Sequence, residues 1–94
     1  TPTEFALLQN FPNPFNPETT IKYNVASGSN VSLRIYNVVG QVVRTLVAEQ
    51  QNAGRYTVRW NGSDDRGVSV SSGIYFYQIS AGDFSDVKKL MLLK

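Results

Sequence analysis

The 94-residue chain contains no cysteine and no histidine. Without thiol or imidazole there is no disulfide staple, no Cys/His zinc site, no thiolate nucleophile and no imidazole general base, which excludes most common hydrolytic and redox machinery. The missing cysteine assigns no compartment, since a secreted domain can rely on its core alone. Long apolar runs are lacking too: none exceeds four residues, as in Leu90 to Leu93, far short of the roughly 20 residues of a membrane-spanning helix. No charged-then-apolar signal pattern opens the chain, so an export address at the N-terminus is expected to belong to a longer precursor. Charge is scarce, nine Lys plus Arg against seven Asp plus Glu, and a net charge of +2 is too small a field to gather nucleic acid or a membrane surface. Neither partner is expected, nor any cofactor.

The punctuation is uneven. All four prolines (Pro2, Pro12, Pro14, Pro17) lie in the first seventeen residues, and all seven glycines lie from Gly28 onward. Residues 1–18 therefore read as a linker stub, Thr1-Pro2-Thr3-Glu4, and a stiff Pro-rich lead-in whose Phe11 and Phe15 are expected to pin it to the core. Residues 19–94 read as the folded domain. There the apolar period is two: Ile21, Tyr23, Val25; Val31, Leu33, Ile35; Tyr56, Val58, Trp60, each set alternating with polar residues. Turn signals recur between them, as in Ser27-Gly28-Ser29-Asn30, Asn52-Ala53-Gly54 and Ala81-Gly82-Asp83.

Gln41 to Gln50 is ambiguous, because Val43, Leu46 and Val47 also fit a helical face; its β-branched content and flanking turns predict a strand. Gly73 to Ala81 carries apolar residues in both phases, which predicts a central strand covered on both sides. In Phe84 to Leu93 the adjacent Lys88 and Lys89 leave the phase open. The sum is an all-β, immunoglobulin-like antiparallel β-sandwich of about seven strands. Its expected core comprises Ile21, Tyr23, Val31, Leu33, Ile35, Tyr56, Val58, Trp60, Ile74 and Ile79.

Candidate chemistry is sparse. The loop Asn61-Gly62-Ser63-Asp64-Asp65-Arg66-Gly67 is rich in oxygen ligands, but its spacing matches no EF-hand. Side-chain-to-backbone turns at Asn61 and Asp64, with positive φ at Gly62 and Gly67, explain the same residues, so no metal site is expected. Asp64 and Asp65 are neighbours in a turn, not two acids facing one cleft, and no serine has an activating base; no catalytic residue is predicted. Tyr36, Trp60, Tyr75, Phe76 and Tyr77 could stack on a sugar, yet a sandwich core needs the same rings. The terminal stretch from Asp86 to Lys94 suits an edge strand guarded by lysines, or a strand offered to a receptor.

Leu8 to Ile21, with Asn13-Pro14-Phe15-Asn16-Pro17 at its centre, resembles the opening of the type A C-terminal sorting domains of the type IX secretion system. Val31 to Val43 is similar to that family's strand-turn-strand unit. Gly54-Arg55-Tyr56 and Gly73-Ile74-Tyr75 resemble its Gly-x-Tyr blocks, and Val87-Lys88-Lys89-Leu90 with Lys94 its closing motif. The likeness covers about Phe5 to Lys94. The middle of the chain also resembles the immunoglobulin-like domain of flagellar hook-capping proteins, although Asn61 stands where that pattern more often has Asp. The resemblance implies a non-catalytic, monomeric sorting domain with Lys94 as a natural C-terminus, carried by an upstream passenger domain in the same polypeptide. It implies export through the periplasm to the cell surface or medium, with outer-membrane secretion machinery and a sortase-like protease as partners. Val87, Lys88, Lys89 and Lys94 would be the recognition residues. The alternative is an accessory Ig-like structural or carbohydrate-binding module of a secreted enzyme.

Overall fold

A computed structural model of the chain describes residues 2–15 and 18–93. Thr1, Asn16, Pro17 and Lys94 lie outside the described residues, and with them three of the positions singled out above. Seven strands and no helix occur among the described residues: β1 (Ala6–Leu7), β2 (Thr19–Val25), β3 (Ser29–Tyr36), β4 (Val42–Gln51), β5 (Gly54–Trp60), β6 (Gly73–Ala81) and β7 (Phe84–Leu92). They form two antiparallel sheets, ordered β1-β2-β5 and β4-β3-β6-β7. The all-β sandwich expected from the alternation is the fold observed.

Period-two burial sets the inner faces. Ile21, Tyr23, Val25 and Trp60 of one sheet meet Leu33, Ile35, Tyr77 and Ile79 of the other, each at most 1% exposed. At about 25 cal/mol per Å² of apolar surface removed from water, these side chains are the main stabilising term. Tyr56 and Val58 share the inner phase but are only half-buried, as β5 is the outer strand of its sheet.

Two bulges resolve the helix-like spacing in β4. Leu33 pairs with Val47 but Arg34 with Thr45, and Ile35 pairs with Arg44 but Tyr36 with Val42. Leu46 and Val43 are the extra residues, and each resets the strand's phase. A strand with two bulges thus mimics the i, i+3, i+4 pattern of a helix.

Three expectations are corrected. Ile74 is not core: it is 38% exposed, whereas Tyr75 and Tyr77, in the opposite phase with Ile79, are buried. β6 is central in its sheet but covered on one face only, so Ile74 and Phe76 lie on the open side. Phe11 is 79% exposed and pins nothing, while Phe15, at 1%, is fully in the core.

Candidate functional site

The lead-in is bound to both sheets. Its residues first extend the β1-β2 pairing: Leu8 N–H donates to Lys22 O at 3.0 Å, and Phe11 exchanges two backbone hydrogen bonds with Thr20 at 3.0 and 2.9 Å. The chain then crosses to β7. Phe15 N–H donates to Met91 O, Leu93 N–H donates to Phe15 O, both at 3.0 Å, and Asn13 Oδ1 accepts Met91 N–H at 3.0 Å. Phe15 and Leu92 form a parallel bridge. Its ring enters the core beside Trp60, centroids 5.5 Å apart, and Trp60 meets the edge of Tyr75 at 5.6 Å.

Asn10 holds the crossing in place. Its side chain is buried at 3% exposure, accepts Gln9 Nε2 at 2.7 Å, and donates to Thr19 Oγ1 at 2.9 Å and Pro12 O at 3.2 Å. Its backbone N–H donates to the Tyr77 hydroxyl at 2.8 Å, which in turn donates to Leu8 O at 2.8 Å. Burial pushes the Tyr77 phenol up to about 12, against the lowering effect of the Asn10 hydrogen bond, and the Asp86 charge adds to the rise. One of three Asn in a Pro-rich segment gives no sequence signal of such a role, because the phenol that fixes it, Tyr77, lies 67 positions along the chain.

The proposed recognition residues on β7 are divided by the pleat. Leu90 and Leu92 point into the core, so Lys88 shares their face and is half-buried, while Val87 and Lys89 face outward, Val87 at 53% exposure. The outer edge of β7 is covered toward its C-terminal end by Asn13 and Phe15, and Gln9 Nε2 donates to Lys89 O at 2.9 Å. Val87 N–H is taken by Asp86 Oδ1 at 2.9 Å.

The two Gly-x-Tyr blocks share one geometry. The Tyr56 hydroxyl donates to Asn52 O at 2.6 Å and the Tyr75 hydroxyl to Ser71 O at 2.7 Å, each to the carbonyl four residues back. Gly54 and Gly73 stand between donor and acceptor. Gly73 has φ 152°, a conformation that L side chains rarely adopt.

In the 61–67 loop, Asp64 Oδ1 accepts Arg66 N–H at 2.9 Å and Val68 N–H at 3.0 Å, while Oδ2 pairs with Arg66 at 3.1 Å. The Val68 N–H bond, with Arg66 adding, holds the Asp64 carboxyl below its ordinary value of 3.8. Asp65 Oδ1 accepts Thr45 N–H at 3.0 Å, Arg44 donates to Asp64 O at 3.0 Å, and Trp60 Nε1 donates to Ser63 O at 2.8 Å. Asn61 Oδ1 accepts the Ser63 hydroxyl rather than a backbone N–H. Among the described residues no group of three His, Cys, Asp or Glu could hold a metal ion, and no helix is long and apolar enough to cross a membrane.

Comparison with known proteins agrees with this architecture. No curated protein sequence matches the chain. Among solved structures it is similar to PorZ, described as an essential bacterial surface component of the type IX secretion system of Porphyromonas gingivalis, with TM-score 0.62 and 20% identity over 92% of this chain and 11% of that one. It is also similar to FlgD from P. aeruginosa, with TM-score 0.61 and 24% identity over 79% of this chain and 58% of that one. The chain thus spans a small part of the first and just over half of the second, and at these identities the likeness is one of fold. Residues 16–84 match the FlgD Ig-like domain family. The chain belongs to the FlgD Ig-like domain family.

Proposed function

We propose that the chain is a non-catalytic C-terminal sorting domain that directs a larger secreted protein through the type IX secretion system to the cell surface. One observation carries the proposal. The family match spans residues 16–84, and the two segments outside it, the lead-in and the end of β7, bind each other through Asn13, Phe15, Met91 and Leu93. These are the segments that resemble the opening and closing motifs of sorting domains. Their joint structure is an addition to the Ig-like core that closes the C-terminal part of the β7 edge and leaves Val87 and Lys89 on the outer face, where a receptor can engage them without unfolding the sandwich. The recognition surface is assigned to Val87 and Lys89, with Lys88 and Lys94 as the remaining positions of the motif. Outer-membrane machinery and a sortase-like protease are the implied partners, and an upstream passenger is the cargo.

The test fuses the domain to the C-terminus of a periplasmic reporter in a host with a working type IX system. Delivery of the reporter to the surface is the expected result, and its retention in the periplasm overturns the proposal. Retention together with binding to an insoluble polysaccharide would favour the accessory carbohydrate-binding module.

A further inference from the structure

The outer face of the β4-β3-β6-β7 sheet carries an apolar surface that the fold leaves uncovered. Backbone register lays Val42, Tyr36, Phe76 and Lys89 in one row across all four strands. Ile74 and Met91 form the next pair, and on the other side Arg34, Gln78 and Val87 form a row. Val42 is 49%, Ile74 38% and Val87 53% exposed. The row is about 14 Å wide at the usual strand spacing.

Charge on the strands of this face has one sign, the carboxylates of Asp64 and Asp65 lying beyond its β4 edge, next to Val42. Arg34 and Lys89 are exposed and diagonal to each other about Phe76, and neither joins an ion pair; among the described residues the ion pair found is Arg66–Asp64. The outward positions of β3, β6 and β7 hold no Asp or Glu. Two aromatic rings at the centre, a methionine and an arginine are residue types enriched at protein interfaces, where acidic residues are depleted. A footprint of roughly a few hundred Å² falls below the ~800 Å² per side of a stable complex, which suits a partner engaged in passage.

Resting on the sorting proposal, we infer that this face, centred on Tyr36 and Phe76, docks a protein of the export machinery through an apolar strip rimmed by carboxylates. Lys89 and Val87 then act as its border. Lys88, on the inner face, takes no part.

The experiment is a competition in the host that exports the reporter fusion. Overproducing the free chain in the periplasm should lower surface delivery several-fold by occupying the partner. Free chains carrying Ile74→Glu/Phe76→Glu or Arg34→Glu/Lys89→Glu should not compete, whereas Lys22→Glu/Arg55→Glu, on the outer face of the other sheet, should compete as the unaltered chain does. Should the apolar pair lower the melting temperature, the charge-reversal pair decides, since it removes no packed group. Equal competition by folded face variants overturns the inference. A concentration-dependent dimer in sedimentation that Phe76→Glu dissociates also overturns it, by assigning the face to a second copy. If the unaltered fusion stays in the periplasm, the sorting proposal fails and takes this inference with it; if it is exported while face variants compete, the inference alone fails.

Discussion

Asn10 of the lead-in and Tyr77 of the central strand β6, 67 positions apart, are joined by a backbone N–H to phenol hydrogen bond of 2.8 Å. The same hydroxyl donates to Leu8 O at 2.8 Å, so one oxygen ties the lead-in to β6. Tyr77→Phe leaves the buried Asn10 N–H and the part-buried Leu8 carbonyl without this partner, at a cost of about 1–3 kcal/mol. For a domain of this size Tm falls by about 4–8 °C per kcal/mol. Thermal denaturation followed by circular dichroism measures the loss.

The same phenol sets an alkaline limit. Its folded value, pushed up to about 12 by burial, exceeds the ordinary 10.0, so the unfolded chain deprotonates first. The stability it contributes is complete below pH 10 and is lost as pH rises toward 12. Chemical denaturation from pH 9 to 12 should show a fall that is smaller in Tyr77→Phe; identical slopes in both proteins would disprove the linkage.

Trp60 is 1% exposed and touches both Phe15 and Tyr75. Trp60→Ala should cost about 3–5 kcal/mol, a large share of the about 5–15 kcal/mol that holds a domain together. The variant is expected to be unfolded or nearly so at 37 °C by near-ultraviolet circular dichroism.

Asp64 acts within its own loop, with both carboxylate oxygens accepting hydrogen bonds. Adding calcium to chelator-treated protein should leave Tm unchanged; a rise of several degrees at millimolar calcium, abolished by Asp64→Ala, would make the loop a metal site. Because its folded pKa lies below 3.8, its contribution is present above that pH and disappears as pH falls through the lower folded value. Asp64→Asn should therefore flatten the acid limb of the stability profile.

The two lysines of β7 should separate in function. Lys89→Ala changes the outer surface and is expected to lower surface delivery of a reporter fusion, while Lys88→Ala, altering a half-buried inner position, should leave delivery near the unaltered level. Equal losses with unchanged Tm would mean that the terminal segment is read as an extended strand and not as a face.

Composition excluded thiol and imidazole chemistry, and alternation in β2, β3 and β5 determined the all-β sandwich, because a half-buried strand imposes period two on its own residues. The bulged β4 was legible as a strand only through its turns, since Leu46 and Val43 break that period. Which phase of β6 faces inward was decided by the tertiary structure: Ile74 and Tyr75 are both apolar enough to be buried, and the choice depends on the rings of Trp60 and Phe15 across the core. The same holds for the lead-in. Its prolines announce an extended segment, but that Phe15 fills the core, Phe11 faces solvent and Asn13 covers the edge of β7 follows from contacts with residues up to 78 positions away, which local pattern cannot encode.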